Sequence, residues 1–72
     1  MVVSSPDALA ELVRARRKDL GLTQVDVADL TGVSPRAIHD LERGTSAVTF
    51  KNLLLILEVL GLDVEVKVAP NG

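Results

Sequence analysis

The sequence contains no cysteine and only one histidine, His39. Disulfide bonds are therefore excluded, and the Cys/His sets that hold structural zinc cannot be assembled. His39 has no second histidine or cysteine to work with, so neither a metal ligand nor a catalytic base is predicted there. A chain of 72 residues buries only about 60% of its unfolded surface on folding. Without disulfide bonds or structural zinc, stability must come from an efficient helical core, from oligomerisation, or from both.

Aromatic residues and long apolar runs are also scarce. Phe50 is the only aromatic residue although 47% of the chain is apolar, and a core of Leu, Val, Ile and Ala suits a small helical domain. The apolar run Leu53–Leu57 is far short of the roughly 20 residues that cross a bilayer. No basic flank or long apolar segment follows Met1, so no signal peptide is predicted. We expect no membrane association and a cytoplasmic location.

Catalytic motifs are missing too. The sequence has no glycine-rich phosphate loop, nucleophile elbow or metal-ligand cluster, and these are the patterns that carry most recognisable chemistry. An enzyme is therefore not predicted, and no cofactor or metal is expected.

A strong basic balance, the usual footprint of a nucleic-acid-binding protein, is absent as well. The formal net charge is −2, from eight cations and ten acids. The distribution of the cations is more informative than the sum, because seven of the eight lie between positions 14 and 51. One face of the fold can therefore still be basic. These seven cations are Arg14, Arg16, Arg17, Lys18, Arg36, Arg43 and Lys51.

The sequence does contain regularly placed signals for the start and the end of helices. Four hydroxyl residues precede helical patterns, and four glycines follow them, as expected for N-caps and left-handed helix ends. The predicted caps are Ser5, Thr23, Ser34 and Thr49, and the terminating glycines are Gly21, Gly32, Gly44 and Gly61. Pro6 and Pro35 occupy the tolerated first helical position. Four helices are predicted: from Pro6 to about Leu20, after Thr23 up to Gly32, over Pro35–Arg43, and over Phe50–Leu60.

Apolar residues at three-to-four spacing predict the buried side of each helix. The predicted inward residues are Leu9, Leu12, Val13 and Leu20 in the first helix, Val27, Ala28 and Leu30 in the second, and Ile38 and Leu41 in the third. The fourth helix is apolar nearly all round, so it must be buried nearly all round. Three partner helices cover only one side of it, and the remaining side requires another protein surface.

Residues 62–68 alternate strictly between apolar and charged side chains, the pattern of a half-buried strand. No other segment has this pattern, and a lone strand has an unpaired edge that invites association. The simplest partner is the same strand of a second copy, paired antiparallel across a two-fold axis. The predicted dimerisation residues are Leu55, Val59, Leu62, Val64, Val66 and Val68.

The stretch Leu22–Gly44 has the layout of a DNA-reading helix-turn-helix. Such a unit needs a tight turn, a small residue where its two helices cross, and a protruding second helix. Ala28 provides the small residue, Gly32-Val33-Ser34 the turn, and Pro35–Arg43 the protruding helix. The N-terminus of the first helix would face phosphate, because its free backbone N–H groups favour an anion and Gln24 adds a side-chain donor.

Side chains on and beside the protruding helix are the predicted DNA contacts. Arg36 is the best candidate for base readout, because arginine bridges guanine O6 and N7 in the major groove. Asp40 would accept from a cytosine amino group, reject wrong sequences, or orient a neighbour. Arg43 is either a DNA contact or simply a favourable cation at a helix C-terminus, and the hydroxyls of Thr45 and Ser46 would donate to phosphate. The predicted DNA-binding set is Gln24, Ser34, Pro35, Arg36, His39, Asp40, Arg43 and Thr45.

The same stretch resembles the phage repressor and Cro-like helix-turn-helix proteins, the Xre family, without a gap in spacing. The matching residues are Leu22-Thr23-Gln24, Val27-Ala28, Gly32-Val33-Ser34, Ile38 and Leu41-Glu42-Arg43-Gly44. With the first and fourth helices the resemblance covers about residues 6–62. It implies a compact helical domain that binds operator DNA as a dimer, and an ion pair between Arg17 and Glu42 that bridges the first helix to the end of the third. Arg17 contacting phosphate is the alternative.

Within that family, the leucine-rich stretch Leu53–Val66 is similar to the HipB-type antitoxins. That resemblance implies a homodimer that binds a palindromic double-stranded operator, represses its own operon, and binds a HipA-type serine/threonine kinase toxin. The alternatives are a dimeric adaptor that neutralises a partner without binding DNA, and a stand-alone Xre-type regulator. The predicted fold is all-α with a C-terminal β-strand shared across the dimer. Its predicted parts are a tail (1–4), the helix-turn-helix domain (5–61), the dimerisation strand (62–68) and a second tail (69–72).

Overall fold

The computed structural model describes residues 2–45 and 48–70 of the chain. Its helices are α1 (Pro6–Asp19), α2 (Gln24–Thr31), α3 (Pro35–Glu42) and α4 (Phe50–Val59). Each begins at the predicted residue, and each ends within one residue of the predicted end. Met1, Ser46 and the last two positions of the predicted C-terminal tail lie outside the described residues.

All four predicted N-caps are present. Each cap hydroxyl accepts a hydrogen bond from the backbone N–H three residues on, which satisfies a donor that the helix leaves unpaired. The cap of α2 is a complete capping box. Thr23 Oγ1 accepts from Asp26 N at 3.0 Å, and Asp26 Oδ2 accepts from Thr23 N at 2.8 Å. Each of these two hydrogen bonds joins a side chain to a backbone N–H within four consecutive residues, which is why the sequence pattern is sufficient to predict them.

Three of the helices end in the same way, with a glycine at positive φ just past the last turn. At the end of α3, Thr45 N donates to Asp40 O and Gly44 N donates to Leu41 O, each at 3.1 Å. This is the Schellman pattern, and it satisfies carbonyls that have no partner inside the helix. The ends of α1 and α4 repeat it at Gly21 and Gly61. Helix α2 instead ends directly on Gly32, at φ 76°.

The core lies between α2 and the other helices: α2 packs on α3 and α4, while α1 packs on α3. Its buried residues are Val13, Val27, Ala28, Val33, Ile38, Leu41, Ile56, Leu57 and Leu60. Two predicted core residues are wrong. Leu20 is 42% exposed, because α1 has already ended, and Leu30 is 61% exposed. With about 3.6 residues per turn, Leu30 lies more than half a turn beyond Ala28 and so points away from the core.

The predicted strand over residues 62–68 is not formed in the described chain, which is helical in all its regular structure. A strand exists only through a ladder of hydrogen bonds to a neighbour, and no described segment of the chain is placed as that neighbour. The segment is largely open to solvent: Val66 is 90% and Val68 91% exposed. The fold class is therefore corrected to all-helical for the single chain, and pairing between two copies stays a prediction.

Candidate nucleic-acid interface

The turn between α2 and α3 is held by one side chain that the sequence patterns do not indicate. Thr31 Oγ1 donates to Val27 O at 2.7 Å and accepts from Val33 N at 3.2 Å. Val33 is thereby fixed with its side chain in the core, 6% exposed. Together with the left-handed backbone at Gly32, these hydrogen bonds set the direction in which α3 leaves the turn. Neither periodicity nor capping rules single out Thr31, which is the last residue of α2.

Helix α3 is anchored on one side and open on the other. Ile38 is fully buried and Leu41 is 4% exposed, so the positions between them face outward. Of the predicted contact residues, all but two are exposed, and Asp40 and Gln24 are half-buried. The exposed ones are Ser34, Pro35, Arg36, His39, Arg43 and Thr45. The structure thus places the predicted set along the outer side and the two ends of α3, except for Gln24 at the start of α2.

Ser34 and Gln24 are among the predicted contacts whose side chains already have partners within the chain. The hydroxyl of Ser34 accepts from Ala37 N at 3.2 Å as the cap of α3. The amide of Gln24 donates to Glu42 Oε1 at 3.3 Å. Both side chains retain further hydrogen-bonding capacity, since a hydroxyl also donates and an amide nitrogen carries two hydrogens.

Arg36 and Asp40 form an ion pair one turn apart on the outer side of α3. Arg36 Nε lies 3.2 Å from Oδ1 and 3.3 Å from Oδ2 of Asp40, so one N–H is shared between both carboxylate oxygens. The Arg36 side chain is 83% exposed and that of Asp40 is 32% exposed. Such an exposed pair contributes at most about 0.5 kcal/mol to stability.

Arg17 and Glu42 form a buried ion pair between α1 and the end of α3. The contact is bidentate: Arg17 Nε lies 2.7 Å from Oε2, and Nη2 lies 2.8 Å from Oε1. A third nitrogen, Nη1, donates to the carbonyl of Leu22 at 2.9 Å. The two side chains are 11% and 3% exposed. Because all three nitrogens of this guanidinium are engaged and little of it is exposed, Arg17 is poorly placed to contact a phosphate.

This pair shifts the pKa values of both groups. The hydrogen bond to Glu42 raises the pKa of Arg17. Burial alone would raise the pKa of Glu42, but hydrogen bonds from Arg17 and Gln24 outweigh it and hold that pKa below its ordinary value. Both groups are therefore charged at neutral pH. Together with Leu22 and Gln24 they join α1, the start of α2 and the end of α3, which fixes α3 relative to the rest of the domain.

Arg16 is a further anchoring residue that sequence reasoning missed. Its Nε donates to the carbonyl of Leu60 at 2.8 Å, across 44 positions of sequence. Leu60 is the C-cap of α4, and a cation is favourable at a helix C-terminus. The sequence offers no signal for this contact, because Arg16 lies in a run of basic residues typical of any solvent face. The contact ties α1 to the point where α4 ends and residues 62–68 begin.

The predicted dimerisation residues lie on α4 and the segment that follows it. Leu55, Val59 and Leu62 are half-buried, while Val64, Val66 and Val68 are exposed. A groove borders them, lined by Leu54, Leu57, Glu58, Gly61, Leu62, Asp63 and Val64. Phe50 is 69% and Leu54 38% exposed, so α4 keeps an apolar side that the other helices do not cover.

Other kinds of site are not found in the described part of the chain. No group of three or more His, Asp or Glu residues within 2–45 and 48–70 is placed to hold a metal ion. No described helix has both the length and the apolar character needed to span a membrane.

A known protein family matches most of this chain. The family model described as helix-turn-helix, HTH_3, matches residues 13–67. A curated relative, an uncharacterized HTH-type transcriptional regulator of Sinorhizobium fredii, is 33% identical over 69 residues, which are 96% of this chain and 90% of that protein.

Several solved structures share the fold over nearly its whole length. A HipB–O4 20mer complex superposes with a TM-score of 0.83 at 26% identity, covering 96% of this chain and 97% of that one. A HipA–HipB–O2–O3 complex superposes with a TM-score of 0.82 at 25% identity, covering 93% of this chain and 94% of that one. A helix-turn-helix regulator from Vibrio cholerae is 33% identical with a TM-score of 0.71; it covers 81% of this chain, which in turn covers 33% of it.

Proposed function

Because this chain belongs to the helix-turn-helix family HTH_3, we propose that it is a sequence-specific DNA-binding transcriptional repressor and the antitoxin of a HipBA-like operon. The observation that carries the DNA-binding part is the outward side of α3. Six predicted contact residues are exposed there, on a helix whose opposite side is anchored by Ile38 and Leu41. A helix held in this way fits into the major groove with its N-terminal end against the bases.

The negative net charge is compatible with this proposal but sets a limit on it. A single copy offers few cations to phosphate: of the residues on or beside α3, only Arg36 and Arg43 carry a full positive charge. Affinity from phosphate contacts grows with the number of charges neutralised. One copy therefore binds weakly, and useful affinity requires two copies reading two half-sites.

The second copy is proposed to join through residues 62–68. Val64, Val66 and Val68 alternate with charged residues, and are exposed in the single chain. Antiparallel pairing of two such segments would form a ladder of hydrogen bonds between them and cover these valines. Leu55, Val59 and Leu62 would lie beneath. Two recognition helices would then lie about 34 Å apart and read a palindrome in successive major grooves.

The antitoxin role is supported by similarity to HipB. The neighbouring structures include HipB alone with a 20mer and HipB together with HipA, and the superposition covers nearly the whole of both chains. A HipA-type kinase is accordingly the proposed protein partner. A role without a toxin would leave the DNA-binding surface unchanged, so the two parts of the proposal are tested separately.

DNA binding is tested by selecting binding sites from a random duplex library with the wild-type dimer, then measuring affinity as a function of salt. We expect a palindromic site, and an affinity that falls linearly with log salt concentration. Arg36→Ala should weaken specific binding by about 1–3 kcal/mol and relax the preference at one base pair. Lys18→Ala is the matched control, because it removes one exposed positive charge on α1, outside both α3 and residues 62–68. A wild-type dimer that selects no sequence would refute the repressor function and favour a protein-binding adaptor.

The shared strand is tested by Val66→Asp, which places a charge on the apolar side of the segment. We expect monomers or aggregates in sedimentation and poor affinity for the selected site. Lys67→Asp changes a charged position of the same segment and should leave the apolar side intact. An intact Val66→Asp dimer would contradict pairing through residues 62–68.

Co-purification of the chain with a kinase-like protein encoded beside its gene tests the antitoxin role. If a neighbouring kinase neither binds the dimer nor is neutralised by it, the antitoxin role is refuted. The chain would then be a regulator without this partner.

A further inference from the structure

The ion pair on α3 has an asymmetry that bears on how Arg36 meets DNA. Asp40 uses both carboxylate oxygens to hold a single nitrogen of Arg36, Nε, at 3.2 and 3.3 Å. Within residues 2–45 and 48–70, neither Nη1 nor Nη2 of Arg36 donates a hydrogen bond to any group. The guanidinium is thus held by its inner edge, and its two outer amino groups stay free.

Asp40 is better fixed than the arginine that it holds. Its backbone carbonyl accepts from Arg43 N and Thr45 N, each at 3.1 Å, in the turn that closes α3. Its side chain is 32% exposed, against 83% for Arg36. The carboxylate also pairs with Arg36 rather than with Arg43, the other nearby cation. Asp40 is partly covered and lies beside the turn that ends α3. It therefore orients the Arg36 side chain, which has no other hydrogen-bond partner among the described residues.

Bidentate recognition of guanine uses two neighbouring N–H groups of one guanidinium against O6 and N7. With Nε occupied by Asp40, the two N–H groups that remain for a base are Nη1 and Nη2. These atoms lie at the tip of the side chain, beyond Nε. The same carboxylate repels phosphate and has no donor for the O6 or N7 of a purine. It thus disfavours DNA placements in which Arg36 is not engaged with a guanine.

We propose that Asp40 is a positioning residue for operator recognition, which directs the Nη groups of Arg36 at a guanine and lowers affinity for DNA lacking one at that place. This inference rests on the proposed function. It differs from direct reading of a cytosine by Asp40, which would engage the carboxylate with the base and act at another base pair. It also differs from a surface ion pair with no part in recognition.

The test compares Asp40→Asn, Asp40→Glu, Arg36→Ala and the double variant Arg36→Ala/Asp40→Asn. Arg36→Ala first identifies the base pair that depends on Arg36, by site selection from a random library. At that base pair, Asp40→Asn should reduce the preference for guanine about tenfold, within the range of one bidentate contact, while binding to non-specific duplex becomes tighter. Asp40→Glu keeps the charge with a longer reach, so it should lose the preference without the gain in non-specific affinity.

The double variant should match Arg36→Ala in base preference, because Asp40 affects base preference only through Arg36. A changed preference at a different base pair would show that Asp40 reads a base itself and would overturn the proposal. Unchanged preference at every base pair in Asp40→Asn would reduce the pair to a surface contact. Thermal unfolding of each variant confirms that the fold is retained. Absence of any sequence selection by the wild-type dimer would instead refute the proposed repressor function, a result distinct from either of these.

Discussion

Replacing Arg17 by methionine is expected to be among the most damaging single changes to this domain. The substitution keeps a long, unbranched side chain but removes the three guanidinium nitrogens that donate to Glu42 and Leu22. The Glu42 carboxylate, 3% exposed, is then left with only the 3.3 Å hydrogen bond from Gln24. Leaving one member of a buried ion pair uncompensated costs about 3–5 kcal/mol.

That cost is large beside the stability available. A domain of this length has a free energy of unfolding of about 4–11 kcal/mol, so Arg17→Met removes a quarter or more of it. Since about 1 kcal/mol moves the midpoint of a domain of this size by about 4–8 °C, the expected loss is at least about 12 °C. The measurement is thermal and urea unfolding by circular dichroism, with the protomer concentration held constant because dimerisation also contributes to stability.

The pH dependence of this effect distinguishes an ion pair from packing. In the wild type the pKa of Glu42 is lowered, so its contribution to stability is present above the ordinary value of 4.5 and is lost as the pH falls through the lowered value. In Arg17→Met only the hydrogen bond from Gln24 and the charge of Arg14 still oppose the effect of burial on the pKa of Glu42, so the carboxyl protonates more readily. The difference between the two proteins should therefore be full at neutral pH and should shrink as the pH falls through the pKa of Glu42 in each protein, first in Arg17→Met and then in the wild type.

The control is the double variant Arg17→Met/Glu42→Leu, which removes both charges. Replacing a buried pair by apolar residues of similar volume is often neutral, so this protein should be more stable than Arg17→Met. If Arg17→Met is less stable than the wild type by under about 1 kcal/mol, the pair does not stabilise the position of α3 in this way. A stability difference that is independent of pH would show the same.

Three further changes test other anchors by the same unfolding measurement. Arg16→Ala should cost about 0.5–1.5 kcal/mol by leaving the Leu60 carbonyl without its side-chain donor, and an unchanged midpoint would contradict that contact. Thr23→Ala should cost about 1 kcal/mol through loss of the capping box, whereas Thr23→Ser should cost little; equal losses would point elsewhere. Gly32→Ala should cost about 1–2 kcal/mol because its φ is left-handed, and Gly32→Asn should cost less, since no atom crowds a side chain there.

Helix boundaries followed from the sequence because each depends on a few consecutive residues. A hydroxyl cap, a proline at the first position and a glycine at the end act locally, and all four caps and all four glycines were predicted. Burial was predicted less well. Ala10 is 4% exposed but carries too little apolar surface to stand out, and Leu30 was assigned inward because leucine usually is.

Whether a side-chain contact could be predicted from the sequence depends on whether a family pattern includes the residues that form it. The Arg17–Glu42 pair was expected only through the resemblance to repressor-like proteins, since nothing in charge spacing joins positions 25 apart. The Arg16–Leu60 contact is not part of such a pattern, because it depends on where α1 and the end of α4 come together, and that information is spread over the whole chain. The hydrogen bonds of Thr31 to Val27 and Val33 are local, but no capping or periodicity rule singles them out.

The proposed dimer would account for both the apolar side of α4 and the alternation in residues 62–68, because a second copy would cover them. Among the described residues of a single chain, the valines of this segment are exposed and no ladder forms, and we propose that the ladder forms between two copies. Arg16 then acquires a second role under the proposed dimer. By holding Leu60, it fixes the point from which the segment leaves α4, and with it the separation of two recognition helices. A variant that dimerises normally but cannot span both half-sites is the result that this reasoning predicts for Arg16→Ala.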